Sequence, residues 1–173
     1  ASLQPDELAA AFDQMQRKGL VEGLFLSSGV VGTVRTMDRM LATVELVRQK
    51  YAWQGYVHLK LLPDAEEAQI ERAAQLADRV SVNLEAPNAA RLARLAPKKE
   101  FEHGLVEPLQ GAWAVVRRLR RAGHDAINAG ATTQYVVGPA GESDQELLST
   151  SQMLYRAVGL RRAYYSAFSP ISD

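Results

Sequence analysis

Short apolar runs alternate with amphipathic helical segments along the chain, and this alternation is the feature that most restricts its fold. A helical pattern occupies 5–18, and strand-like runs follow at 20–26, 55–62, 79–84, 133–137 and 162–168, with helical patterns between them. Thr36 is predicted to cap the second helix. Strand–helix units of this kind normally join parallel strands through right-handed connections. The sequence therefore predicts an α/β fold built on a parallel sheet.

The length of the chain limits how much of such a fold it can form. It has 173 residues, whereas a complete eight-stranded α/β barrel takes about 250. A chain that opens on a helix and stops at a strand leaves the edges of its sheet without cover. We therefore expect residues 1–173 to form one domain, a partial, open (β/α) barrel that is a fragment of the closed form. Two copies are expected to dimerise through an exposed sheet edge.

Composition excludes several classes of protein. Twenty basic and twenty acidic side chains cancel, so no overall field directs the chain to nucleic acid or membrane. The chain has no cysteine, which excludes disulfides and thiolate-held metal centres within these residues. The three histidines are too widely spaced for a histidine metal site, and no stretch has the length and hydrophobicity of a membrane span or signal peptide. We expect a cytoplasmic protein with no metal site of its own and no membrane contact.

Polar residues follow the first two strands, where parallel α/β folds place their functional groups. Ser27, Ser28 and Gly29 offer hydroxyls and backbone amides that suit an amine, a carboxylate or a phosphate. A turn that caps the next helix explains these three residues equally well. On the second strand, His58 and Lys60 share a face by period-two alternation. Lys60 is either a cation that needs an anionic partner or an exposed lysine at the end of a sheet.

The third and fourth strands carry further polar positions. Ser81, Asn83 and Glu85 are spaced to face one way, and Asn83 and Glu85 are suited to accept hydrogen bonds from a vicinal diol such as a ribose. A satisfied structural network is the alternative. The fourth strand offers Gln134, Val136 and Gly138, and the glycine would let a flat ring approach the backbone, although a plain turn also explains it.

A basic cluster lies on the helix that precedes the fourth strand, with Lys98 and Lys99 upstream of it. Clusters of this kind on a surface helix are most often solvated, and a phosphate-binding patch is the alternative. The contrasting functional hypothesis is a non-catalytic α/β module that binds nucleic acid or a protein through this helix. Its residues are Arg117, Arg118, Arg120 and Arg121.

Six segments in order along nearly the whole chain resemble the bacterial family of DNA modification/repair radical S-adenosylmethionine (SAM) proteins. Any one of them is weak evidence, but their joint occurrence is specific. The segments are GLFLSSGV at 23–30, TMDRM at 36–40, GYVHLKLLP at 55–63, LADRVSVNLEAP at 76–87, TTQYVVGPAGESD at 132–144 and RRAYYSAFSP at 161–170.

The resemblance implies an open (β/α) barrel with SAM and a [4Fe–4S] cluster at the carboxyl rim. Carried over by position, it implies that 27–29 hold the methionine amine, Asn83 and Glu85 the ribose, and 136–138 the adenine, with Gln134 beside them. Lys60 becomes a candidate for the SAM carboxylate or for the substrate. The parent enzyme would form a 5′-deoxyadenosyl radical and abstract hydrogen from a nucleic-acid-related substrate.

One departure from the family pattern is large, because the CxxxCxxC loop that ligates the cluster is absent. In the family this loop precedes a segment like 3–8, so we expect it upstream of residue 1. Without thiolates the chain holds no cluster, and SAM loses its chelation. The chain alone is therefore expected to be inactive and to bind SAM weakly, and no catalytic residue is assigned.

Overall fold

The structure is a computed structural model that describes residues 3–29, 33–123 and 129–170. Helices and strands alternate as the sequence predicts, with two helices and a π-helical turn between the third and fourth strands. In chain order the elements are α1 (Pro5–Arg17), β1 (Gly23–Leu26), α2 (Thr33–Gln49), β2 (Tyr56–Lys60), α3 (Glu67–Leu76), β3 (Arg79–Ser81), α4 (Ala89–Leu95), the π-helical turn (Glu102–Val106), α5 (Glu107–Arg121), β4 (Gly130–Val137), α6 (Asp144–Ala157) and β5 (Arg162–Ala167).

The five strands form one sheet in the order β1-β2-β3-β4-β5, and every neighbouring pair is parallel. The predicted α/β fold with a parallel sheet is therefore confirmed, and the arrangement is consistent with a partial open barrel. Because all strands run the same way, their carboxyl ends lie along one rim. β1 and β5 are the edge strands of this sheet.

One face of the sheet, here called the outer face, packs against the helices. Leu26, Leu59, Val80 and Ala131 are neighbours in the strand register, and none is more than 9% exposed. They belong to one hydrophobic core with side chains from the helices, such as Leu109 of α5. Burial of these aliphatic groups is the main force that stabilises the domain, at about 25 cal/mol per Å² of apolar surface.

The helix α2 buries one apolar stripe, but its predicted cap is wrong. The helix begins at Thr33, so Thr36 lies inside it. A capping box begins α6, with Ser143 and Glu146 each accepting a hydrogen bond from the other's backbone amide. The buried stripe of α2 consists of Met37, Met40, Leu41, Val44 and Val47.

The opposite face, here called the inner face, carries a different set of side chains. Phe25, His58 and Arg79 are register neighbours on it, and Lys60 and Ser81 form the next row towards the rim. The Phe25 side chain is 59% exposed. The inner face is thus polar and aromatic, and it is not sealed by apolar packing.

In the described ranges, no helix combines the length and the apolar character required to cross a bilayer. His124, one of the three histidines, lies outside the described residues.

Candidate functional site

A cavity of about 340 Å³ opens on the inner face, a size within the usual range for small-molecule sites. Four of the predicted site residues line it, each from a different strand or strand end: Ser27, Lys60, Asn83 and Gln134. Parallel strands with a common rim bring together residues that are far apart in sequence. The other lining residues are Phe25, His58, Ser81, Thr132, Thr133 and Tyr164.

Hydrogen bonds between neighbouring strands hold several of these side chains in place. His58 Nε2 and Ser81 Oγ are 2.8 Å apart and share a hydrogen bond. Gln134 donates from Nε2 to Ser166 Oγ over 2.8 Å. The ring centroid of Phe25 lies 4.5 Å from that of His58. The floor of the cavity therefore consists of polar side chains that are held by hydrogen bonds and by the contact between the rings of Phe25 and His58.

The electrostatics of the floor are positive. Burial, followed by the charges of Arg79 and Lys60, lowers the pKa of His58 to about 4. His58 is neutral at pH 7 for that reason. No carboxylate is among the residues that line the cavity. A ligand with a negative charge would meet the Lys60 ammonium and no acidic side chain in this cavity.

Neither cation has an acidic partner in the part of the chain that the structure describes. Lys60 and Arg79 are absent from the ion pairs of these residues. Arg79 donates from Nη2 to the Ala129 carbonyl over a long 3.4 Å and lies 5.8 Å from the ring of Tyr56. Its Nε is buried without a hydrogen-bond partner among the described residues, an arrangement that costs free energy unless another group satisfies it.

The prediction that Glu85 shares a face with Ser81 and Asn83 is wrong. Ser81 pairs with Thr132, 51 residues later, whereas Glu85 forms its bridge with Tyr135, only 50 residues later. One extra residue in the β3 strand therefore separates the two pairings, and a shift of one residue moves a side chain to the other face. Glu85 adopts a left-handed φ of 64° at this point.

The buried hydroxyl of Thr133 occupies the break in the ladder. It donates to the Val82 carbonyl over 2.7 Å and accepts from the Leu84 amide over 3.2 Å. These two bonds satisfy backbone groups that the irregular strand would otherwise leave unpaired. The Glu85 carboxylate is held elsewhere, 3.2 Å from Lys99 Nζ. Asn83 lines the cavity and Glu85 does not.

Val136 and Gly138 continue the line of Gln134 towards the rim without lining the cavity itself. Val136 is the register partner of Ser166, two residues beyond Gln134, and so keeps the inward parity. Gly138 has a φ of 107°, and no heavy atom lies within 4 Å of the position that a Cβ would occupy. The backbone is therefore open to close approach at this position.

A carboxylate fixes the turn that contains Gly138. Glu142 accepts hydrogen bonds from the Gly138 amide and, at 3.1 Å, from the Ala140 amide. Burial opposes ionisation of Glu142, but these backbone hydrogen bonds outweigh it and lower the pKa of the carboxyl. Beside the turn, hydrogen bonds from Arg91 and the Ser143 backbone lower the pKa of Glu146 to about 2.

The loop after β1 is divided between two cavities. Ser27 lines the inner cavity and also a second one of about 460 Å³, whereas Ser28 and Gly29 line only the second. The second cavity lies between α1 and α2, against side chains such as Leu8 and Met40. The structure thus brings Ser27 together with Asn83 and Gln134 but leaves the other two loop residues on the far side.

The basic cluster of α5 is remote from the cavity. Arg120 lies beside Gly130, where β4 begins, and is therefore at the opposite end of the strands from the rim. Arg118 Nη2 is 2.6 Å from Glu71 Oε2, and Arg117 and Arg121 are exposed. Upstream, Lys99 pairs with Glu85 at the rim, so the two basic segments do not form one patch.

Three residues of the cavity or its floor were not among the predicted site residues, although period-two alternation could have identified two of them. Phe25 precedes Ser27 by two residues, Arg79 precedes Ser81 by two, and Tyr164 is the register partner of Gln134. The strand pairing that brings Tyr164 to Gln134 becomes visible only in the fold.

No protein-family model and no curated protein matches the chain. Among solved structures, the chain is similar to the "crystal structure of a putative dehydratase from Mesorhizobium loti", with 12% sequence identity and a TM-score of 0.37. The alignment covers 96% of this chain and 52% of that one, so the chain spans about half the length of this neighbour.

Proposed function

We propose that the chain is the SAM-binding core of a radical SAM enzyme that acts in DNA modification or repair, folded as a radical-SAM-like fragment of a (β/α) barrel. One observation carries the proposal: Ser27, Lys60, Asn83 and Gln134, singled out in the sequence, line a single cavity. Val136 and Gly138 extend that line along the rim.

The side chains fit the chemical groups of SAM. The Ser27 hydroxyl suits the amine of the methionine part, and the amide of Asn83 suits the ribose diol. The adenine ring would lie against Val136 and the open backbone of Gly138, where no Cβ intervenes, with the Gln134 amide beside it. Glu85 is not included in this set, because its carboxylate pairs with Lys99.

The chain's residues do not fit the [4Fe–4S] cluster. Such clusters are held by cysteine thiolates, and the sequence contains no cysteine. We assign no step to the cluster in these 173 residues. SAM, when bound, would supply the 5′-deoxyadenosyl group for hydrogen abstraction, and the residues described here would bind and orient it.

Titration of the ¹⁵N-labelled protein with SAM tests the proposal, with amide chemical shifts as the measurement. We expect weak binding, with a Kd of about 1 mM or above, and the largest shifts at Ser27, Asn83 and Gly138. Asn83→Ala should weaken binding about 2- to 10-fold, the effect of one hydrogen bond. The matched control is Arg117→Ala on exposed α5, which should leave the titration unchanged.

Two results would overturn the proposal. One is a folded protein that shows no shift at the rim with SAM at about 10 mM, ten times the expected Kd. The other is a set of shifts centred on α5. A reading frame upstream of residue 1 that contains no CxxxCxxC sequence would separately contradict the radical SAM assignment.

A further inference from the structure

The free edge of β5 presents backbone groups to a further strand. The Phe168 amide, directly after β5, donates to the Val137 carbonyl of β4 over 2.9 Å. Because the backbone groups of successive residues point alternately to the two sides of a strand, the amides and carbonyls of Tyr165 and Ala167 point away from β4. In the sheet of the described residues, no strand lies on that side of β5.

A tyrosine of α6 marks one end of this free segment. The Tyr155 hydroxyl accepts a hydrogen bond from the Ala163 amide over 3.0 Å, so the edge amide that precedes Tyr165 is already occupied. Charged residues and prolines are the usual protection of an exposed sheet edge, and 163–168 contains neither. The stretch is therefore suited to pair with another strand.

A groove of about 490 Å³ follows the same edge on the outer face. Tyr165 forms one wall, and its hydroxyl lies 2.7 Å from Ser151 Oγ of α6. The other wall is a stripe of α6 residues that are three or four positions apart and so share one side of the helix. Leu148 in this stripe is 61% exposed. The stripe consists of Gln145, Leu148, Ser149, Gln152, Tyr155 and Arg156.

We propose that two copies of the chain associate through the free edges of β5, which pair antiparallel about a two-fold axis at Ser166. In this register Tyr165 of each copy lies opposite Ala167 of the other, and each such pair exchanges both of its backbone hydrogen bonds. The bond between Tyr155 and Ala163 is kept. This inference goes beyond the proposed function and does not depend on SAM.

The side chains on both faces of this register fit a second copy. On the outer face, the large ring of Tyr165 lies opposite the small side chain of Ala167. On the inner face, Tyr164 lies opposite Phe168 of the second copy; these rings are 39% and 50% exposed in one copy. Aromatic cross-strand pairs stabilise antiparallel strands. Because Tyr164 lines the inner cavity, the second copy would place Phe168 beside that cavity.

The charges of α6 are also complementary to a second copy. Asp144 lies in its first turn and Arg156 in its last, and neither belongs to an ion pair of the described residues. Ser151, near the middle of α6, lies beside Tyr165 and hence near the axis. The two α6 helices are then antiparallel, and Arg156 of each copy lies towards Asp144 of the other.

Sedimentation equilibrium of the 173-residue protein tests the inference. We expect a reversible dimer with a Kd between about 1 µM and 1 mM. Ala167→Pro removes an amide that points away from β4, a position that tolerates proline on an edge strand, and should weaken the dimer about 10-fold or more. Leu148→Glu in the groove leaves the backbone unaltered and should also weaken it. The matched control is Met153→Glu, because Met153 is 43% exposed on α6 without lining the groove; it should leave the Kd unchanged.

A charge exchange tests the two-fold arrangement itself. Arg156→Glu should weaken the dimer about 2- to 5-fold, the effect of an exposed ion pair, and the addition of Asp144→Lys should restore it. A protein that stays monomeric up to about 1 mM overturns the inference. A dimer that Ala167→Pro and Leu148→Glu both leave intact also overturns it, because the interface would then lie on another surface, such as the edge of β1.

Discussion

The two faces of the sheet are made by alternate residues of the same strands, yet they differ in almost every physical respect. On the outer face, Leu59 and Val80 are fully buried. On the inner face, their sequence neighbours Lys60 and Arg79 are cations without acidic partners in the described residues. The outer face is explained by burial of apolar surface. The inner face gains less from such burial, and the proposed ligand site would give its polar side chains a role.

The largest expected effect comes from a pair of substitutions at adjacent residues of β2. Leu59→Ala should lower the free energy of unfolding by about 2–5 kcal/mol, because it opens a cavity in the core. Lys60→Met should change it by no more than about 0.5 kcal/mol, because the Lys60 ammonium has no ion-pair partner to lose among the described residues. Urea denaturation measures both. Equal losses at the two positions would show that Lys60 has a structural role.

The second comparison uses two glycines with positive φ. A Cβ on Gly159, at a φ of 57°, would lie 2.6 Å from the ring of Trp113, whereas one on Gly138 would meet open space. Gly159→Ala should lower the free energy of unfolding by about 2–4 kcal/mol. The added Cβ disfavours the backbone conformation and also overpacks against the Trp113 ring.

Gly138→Ala should cost only the conformational part, about 1–2 kcal/mol, but should weaken the SAM-induced shifts at the rim. Thermal unfolding and the SAM titration measure the two effects. A Gly138→Ala protein that binds SAM as the unaltered protein does would remove this glycine from the proposed site.

A smaller effect is expected at Glu85, where the extra residue in β3 moves the side chain to the other face of the sheet. The side chains of Glu85 and Lys99 are 16% and 23% exposed, so Glu85→Gln should destabilise by about 1–2 kcal/mol. A double-mutant cycle with Lys99→Met should recover part of this loss. If Glu85→Gln instead leaves stability unchanged and abolishes SAM binding, the carboxylate belongs to the ligand site after all.

The last effect depends on pH and is smallest near pH 7, where His58 is neutral in both the folded and the unfolded chain. Burial and then the charges of Arg79 and Lys60 lower the pKa of His58 in the folded protein to about 4, from an ordinary value of 6.5. Between these values the unfolded chain binds more protons than the folded one, so stability rises with pH from about 4 to 6.5. His58→Asn should flatten this part of the stability profile, as measured by urea denaturation across the range. If the profile of His58→Asn matches that of the unaltered protein, the pKa of His58 is the same in the folded and the unfolded chain.

Much of the fold could be predicted from the sequence, because strand–helix alternation and the apolar stripe of α2 both reflect the burial of one face. The grouping of His58 with Lys60 followed from period two alone and is confirmed by the register. Such local rules apply wherever a strand is regular.

The rest depended on contacts between distant residues. The face of Glu85 is set by the extra residue in β3. The hydroxyl of Thr133, about 50 residues away, bonds the backbone groups of Val82 and Leu84 that this extra residue would otherwise leave unpaired. Arg79 has no acidic partner among the described residues, and no pattern within its own strand could reveal this. The helix α2 likewise starts at Thr33 and not after Thr36, the residue that the sequence indicated as its cap.

The most direct test of the account is a crystal structure of the protein soaked with SAM at millimolar concentration. The account predicts SAM across the carboxyl ends of β1, β3 and β4, with its ribose within hydrogen-bond distance of Asn83 and its adenine against Gly138. SAM bound on the outer face, or along α5 beside Arg117, would contradict it.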